Sequence, residues 1–155
     1  MICETIYALR VGLAPRTRLL GLDMGARTIG LALSDVSRTV ATPMDVIRRT
    51  KLDTDLETLQ RLVAEHGVGG LVVGLPIAMD GHERSRAQSV RRFARDLAGV
   101  VEVPIAFWDE RLSSAAVERV LIEEVDMTRK RRRQVVDKMA AAYILQGALD
   151  AMASK

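Results

Sequence analysis

The sequence predicts an α/β fold: a five-stranded mixed sheet, three antiparallel strands then parallel βα units, with helices on both faces. Three observations carry this expectation. Apolar segments between residues 19 and 47 are separated only by turn-sized gaps, as in an antiparallel meander. From Asp53 onward the apolar spacing shifts to three and four residues, and strand-like and helix-like segments alternate. The segment "GGLVVGLP", residues 69–76, is apolar throughout, as a strand covered on both faces of a parallel sheet is. The resulting order, βββαβαβαα, matches a mixed sheet with two layers of helices, and its parallel crossovers should be right-handed.

The elements follow in order. "RLLGLDMG" is the first strand, with Leu20, Leu22 and Met24 on one face and Leu19, Gly21 and Asp23 on the other. A tight turn at Gly25-Ala26-Arg27 leads into "ARTIGLALSD". The third strand is "TVATPMDVI". Leu56, Leu59, Leu62 and Val63 have helical spacing, with Asp53 or Thr54 as N-cap and Gly67 as the stop. "ERSRAQSVRRFARDLAG" is an amphipathic helix ended by Gly99, and "VEVPIAFWDE" is the last strand. "SSAAVERVLIEE" is a helix capped by Ser113, "VDMTRKRRR" a basic loop, and "QVVDKMAAAYILQGALDAMA" a final helix with a broad apolar face.

A chain of 155 residues suits one domain that buries its own core. Residues 18–152 form that domain, and residues 1–17, "MICETIYALRVGLAPRT", read as a flexible or loosely docked leader without secretory-signal character. No segment has the length and apolarity of a membrane span. The single cysteine, Cys3, cannot form an internal disulfide and fits a reducing cytoplasm. The net charge of +3 is compatible with a polyanionic partner without requiring one.

The acids at element ends say more. Asp23 closes a core strand, where an unpaired carboxylate is costly to bury. "FWDERLSS" puts Asp109 and Glu110 where the last strand stops. Asp137 shares an apolar helix face with Ala140, Ala141, Ile144 and Ala148 and therefore points toward the sheet. Each acid also has a plain structural reading. Asp23 could make a turn with Gly25, and Asp109 is best read as a turn cap. Glu110 could pair with Arg111 or Arg27, and Asp137 could favour a helix N-terminus. Together, three carboxylates converging in apolar surroundings would repel one another, a cost that a divalent cation removes. Hard oxygen ligands suit Mg²⁺ or Mn²⁺ and the metal-assisted cleavage of phosphodiesters. The candidate catalytic and metal-binding residues are Asp23, Glu110 and Asp137.

Two basic groups complete the pattern. Arg129, Lys130, Arg131, Arg132 and Arg133 form a run that must be solvated. Arg84, Arg91 and Arg95 lie on one face of the helix after "GLPIAMDG". Both groups are candidate contacts to a nucleic-acid backbone. With two Phe, two Tyr and one Trp, base stacking is a minor theme. His66 beside Gly67 and His82 in the Asp80-Gly81 turn have structural readings, and no His pair, Cys cluster or Ser-His arrangement stands out.

Four ordered motifs, "GLDMGARTIGLALSD", "VVGLPIAMDG", "WDERLSS" and "VVDKMAAAYILQ", resemble the bacterial YqgF family over about residues 18 to 150. These are Holliday-junction-resolvase-like proteins of ribonuclease-H-like fold, regarded as nucleases of pre-16S ribosomal RNA. The resemblance implies a divalent-metal-dependent acidic site at Asp23, Glu110 and Asp137. It also implies a preribosomal RNA substrate and association with the small ribosomal subunit. Ala78 stands where many members of the family carry Asn. The alternatives are a resolvase of branched DNA and a ribosome-assembly binding protein without catalysis. An ATP-binding domain of the actin and sugar-kinase type fits less well, because it needs a second, duplicated domain.

Overall fold

The computed structural model describes residues 1–112 and 129–154, with only the backbone of 129–134. The meander forms first. Strands β2 (Arg18–Met24), β3 (Thr28–Ser34) and β4 (Ala41–Arg48) are antiparallel neighbours, with Asp23 opposite Gly30. They are preceded by β1 (Ile2–Cys3) and α1 (Ile6–Val11). After the meander come α2 (Leu52–Glu65), β5 (Val68–Leu75), α3 (Ser85–Ala98) and β6 (Ile105–Asp109), then a 3-10 turn at Glu110–Leu112 and α4 (Arg129–Ala153). The strand order in the sheet is β1-β6-β5-β2-β3-β4. Strand β5 is parallel to both β2 and β6, as the wholly apolar "LVV" core of that strand requires.

The sheet therefore has six strands where five were expected. The sixth comes from the supposed leader, which is docked. Ile2 and Cys3 pair in parallel with Ile105 and Ala106, and Ile6 and Leu9 of α1 are buried. Thr5 caps α1 by accepting the Ala8 N–H at 3.1 Å. Burying this short apolar pair offsets the entropy cost of ordering the segment.

Alternation of side chains across the strands creates two cores. Leu20, Leu22, Ile29, Leu31, Leu71 and Val73 face α2 and α3, which contribute Leu59, Val90, Phe93 and Leu97 among others. Leu19, Ala32, Val72 and Ala106 face α1 and α4, which contribute Leu9, Ile144, Leu145 and Leu149. The second face is paved with glycine where α4 crosses it. A Cβ at Gly21 would lie 2.8 Å from the Leu145 Cβ, and one at Gly30 would run into the Asp137 carbonyl. This close approach brings Asp137 down onto the sheet beside Asp23.

Two local expectations change. The basic run Arg129–Arg133 is not loop; it forms the first turns of α4. Neither Asp53 nor Thr54 caps α2. The helix begins at Leu52, and the buried Asp55 instead accepts the Thr50 N–H at 3.1 Å and its hydroxyl at 3.2 Å. The expected helix over residues 113–124 and its cap Ser113 lie outside the described residues.

Candidate active site

Three elements deliver the acids. Asp23 is the penultimate residue of β2, on the face that carries Leu19 and Gly21. Glu110 opens the 3-10 turn directly after β6. Its side chain lies over β5, where a Cβ at Gly74 would sit 3.0 Å from Glu110 Oε1. Without a side chain at Gly74, the glutamate can reach across the sheet toward β2. Asp137 sits roughly two turns inside α4. It is too far from the helix start for the N-terminal dipole to explain it. Its Oδ2 accepts the Thr28 hydroxyl at 2.8 Å.

The electrostatics follow from this packing. Burial, first, pushes the Asp23 carboxyl up to about 7. The Glu110 charge and a hydrogen bond between the two carboxyls add to the rise, as does the charge of Asp137, while the Arg86 guanidinium pulls the other way. A hydrogen bond between two carboxyls requires a proton on one of them. Two carboxyls side by side in one half-buried place repel each other wherever both are charged. Among the described residues, no three His, Cys, Asp or Glu side chains are gathered tightly enough to hold an ion as they stand. The direct contact is Asp23 with Glu110, and Asp137 stands beside them, tied to Thr28.

Asp109 behaves differently. Its Oδ1 accepts the Arg111 backbone N–H at 2.9 Å, and Arg111 Nη2 donates to Oδ2 at 2.7 Å. The hydrogen bonds from Arg111 hold this carboxyl below its usual range. The turn-cap reading of Asp109 accounts for it, and Arg111 is committed to Asp109 rather than to Glu110.

The predicted basic residues separate in the same way. Arg84 pairs with Asp80 at 2.8 Å. Arg91 donates from Nη2 to Glu83 at 2.8 Å and lies over the Phe107 ring, 4.8 Å from its centroid. Arg95 is exposed. Two arginines that sequence reasoning passed over stand close to the acids. Arg86 Nη2 donates to the Met24 carbonyl at 3.4 Å, and Arg49 Nη1 donates to the Gly25 carbonyl at 2.7 Å. Arg49 lies in the short basic stretch Arg48-Arg49-Thr50-Lys51 and Arg86 two residues after Arg84, but nothing in that spacing aims the two at one place. Thr28 was missed too, although its place right after the Gly25-Ala26-Arg27 turn is a signal that it sits near the end of β2.

A family model described as "RuvX: Holliday junction resolvase" matches residues 17–151, nearly the whole chain. The chain belongs to the RuvX family. A relative from Paramagnetospirillum magneticum, named "Putative pre-16S rRNA nuclease", is 66% identical over 133 residues, covering 86% of this chain and 85% of the relative. A relative of the same name from Ruegeria pomeroyi is 53% identical over 150 residues, covering 97% of each. The fold resembles that of RuvC from T. thermophilus in complex with a Holliday junction substrate. The TM-score is 0.59 at 14% identity, covering 90% of this chain and 97% of that one. Membership places this RuvX protein among the nucleases, hydrolases of phosphodiester bonds. Among the described residues, no helix is long and apolar enough to cross a membrane.

Proposed function

We propose that this RuvX protein is a divalent-metal-dependent nuclease of structured RNA that matures the 5′ end of pre-16S ribosomal RNA in the cytoplasm. The observation that carries the reading is the contact of Asp23 with Glu110, with Asp137 alongside, where Gly74 leaves room for Glu110 and Gly30 for the backbone of Asp137. The names of the relatives at 66% and 53% identity supply the substrate class.

Asp23, Glu110 and Asp137 would hold Mg²⁺ or Mn²⁺. The donors are hard carboxylate oxygens, and the rise of Asp23 to about 7, caused first by burial and then by Glu110 and Asp137, reflects a buried charge that a cation would stabilise. When bound, such ions activate a water and stabilise the leaving oxygen of a phosphodiester. The protein's own part is positional. β2 and the turn after β6 fix two carboxyls on rigid elements, and the Thr28 hydroxyl orients the third. Arg95 and the basic run Arg129, Lys130, Arg131, Arg132 and Arg133 would hold the strand through its phosphates. Arg84 and Arg91, already paired with acids, contribute less. Association with the small ribosomal subunit belongs to this same reading, because precursor RNA is met there.

A second reading, resolution of four-way DNA junctions, rests on the family description and uses the same acids. Incubating a precursor rRNA fragment and a four-way DNA junction side by side, with Mg²⁺, Mn²⁺ or EDTA, separates the two. Metal-dependent cleavage of the RNA is the expected result. Cleavage of the junction alone favours the resolvase, and cleavage of neither substrate with either metal leaves a binding protein without catalysis.

A further inference from the structure

Next to the acids lies a second feature that the cleavage chemistry does not use. An open cleft of about 310 Å³ is lined by Met24, Gly25, Arg49, Ser85, Arg86 and Ser89. Met24 and Gly25 directly follow Asp23, so the cleft opens at the same end of β2 as the acids, on the face covered by α3 and opposite the face that carries Asp23. Its two cations are held by backbone carbonyls. Of the arginines named above, Arg84 just before α3, Arg91 on α3 and Arg111 after β6 are each paired with a carboxylate. Arg49 and Arg86 are instead anchored to backbone carbonyls, those of Gly25 and Met24. Among the described residues, neither has a carboxylate within ion-pair distance. A neutral carbonyl fixes a guanidinium in place without cancelling its charge. Arg49 is further steadied over the Phe93 ring, 5.6 Å from its centroid. Each guanidinium keeps spare N–H donors after its carbonyl bond, because it has five. Ser85 and Ser89 stand one helical turn apart on the α3 face that closes the cleft, adding two hydroxyls.

Two guanidiniums held by backbone carbonyls, one of them also within electrostatic reach of Asp23, and two hydroxyls around one cleft match a tetrahedral oxyanion. We propose that the cleft is a phosphate subsite that grips a backbone phosphodiester of the nucleic-acid strand next to the phosphate held at the acids. The assignment rests on the nuclease reading. It makes Arg49 and Arg86 binding residues that set which bond reaches Asp23. The same chemistry would also accept a free phosphate, and the test separates the two sources.

Binding is measured in EDTA, where no cleavage occurs, on a labelled RNA duplex across a salt series. Arg86→Gln is the main variant, since Arg86 is exposed and its loss leaves the core intact. Arg61→Gln, whose cation pairs with Glu65 on α2, is the control. Arg86→Gln should lower the slope of log K against log salt by about one for a duplex, and by about 0.7 for a single strand. Arg61→Gln should leave it unchanged. A series of duplexes, each with one phosphate replaced by a neutral methylphosphonate, then locates the contact. One position should weaken the wild-type protein and have no effect on Arg86→Gln. If the wild-type protein binds RNA but Arg86→Gln shows the same slope and no coupled position, the subsite assignment falls and the nuclease reading stands. Inorganic phosphate binding that is lost in Arg86→Gln, with no coupling to any strand phosphate, gives the cleft to a free anion and overturns the assignment. If the wild-type protein binds neither RNA nor a DNA junction, the nuclease reading falls first and the subsite falls with it.

Discussion

Asp109 and Glu110 are adjacent in the chain, yet the fold puts them in opposite electrical settings. Asp109 meets a guanidinium and three hydrogen-bond donors from one arginine, and its carboxyl is held below the ordinary range. Glu110 turns across Gly74 to meet another acid, Asp23, which is pushed up to about 7. Completing β6 and starting the turn needs only Asp109, because its carboxylate accepts the turn's own N–H. Nothing in the local chain needs Glu110 to face Asp23. A fold spends stability on such a contact where chemistry needs clustered negative charge. The difference separates an acid that makes structure from one that is placed against the interests of stability.

The largest effect expected from this contrast is on turnover. Asp23→Asn keeps size and hydrogen-bonding capacity but removes one charge from the cluster, so metal-dependent cleavage should be abolished with the fold intact. Glu110→Gln and Asp137→Asn should behave alike. Full cleavage by any of the three would erase the distinction from Asp109. The same substitution tests the contrast in pH dependence. The Asp23 carboxyl rises from 3.8 to about 7 on folding, first through burial and then through Glu110. Between those values the native protein keeps a proton that the unfolded chain releases, so metal-free stability falls as pH rises from about 4 to about 7 and then levels off. Asp23→Asn should remove that loss, and its melting temperature in EDTA should exceed that of the wild-type protein at pH 8 more than at pH 5. Asp109 has the opposite sign: its stabilisation is present at neutral pH and lost as pH falls through its lowered pKa.

A second prediction concerns affinity. Changing Arg129, Arg131 and Arg132 together to Ala should weaken RNA binding. On a duplex, the salt slope should fall by about one for each phosphate the protein no longer neutralises. Unchanged binding would limit this helical run to solvation. Third in size is a change in packing. Gly30→Ala forces a methyl into the Asp137 carbonyl and should cost about 1–3 kcal/mol, read by chemical denaturation. It should also lower activity, because α4 cannot move away without taking Asp137 with it. The smallest effect belongs to Asp109→Asn. Its solvent-screened pair with Arg111 should add little to stability, so melting should hardly shift and cleavage should survive.

Much of this arrangement was legible in the sequence, and the reasons are specific. Alternation in "RLLGLDMG" assigned Asp23 to the face opposite Leu20 and Leu22, and the structure has it there. The apolar row around Asp137 aimed it at the sheet, and its carbonyl indeed lies over Gly30. Other features carried weaker marks. A two-residue strand has no period, so β1 was invisible, although Thr5, Ile6, Leu9 and Gly12 form a readable cap-helix-stop pattern. Mutual repulsion in "RKRRR" argued for a loop, but the helix that continues from it carries the run along. Arg49 and Arg86 are far apart in the sequence, and only the three-dimensional cleft unites them.

If the acid-on-acid contact exists to bind a divalent ion, metal affinity must depend on Asp23 and not on Asp109. The direct measurement is Mn²⁺ binding at pH 8, followed by water-proton relaxation, in the wild-type protein, Asp109→Asn and Asp23→Asn, with thermal melting to verify folding. Mn²⁺ should bind the wild-type protein and Asp109→Asn alike, and a folded Asp23→Asn should fail to bind it. Mn²⁺ binding in Asp23→Asn equal to that of the wild-type protein would refute the metal-binding role of the pair.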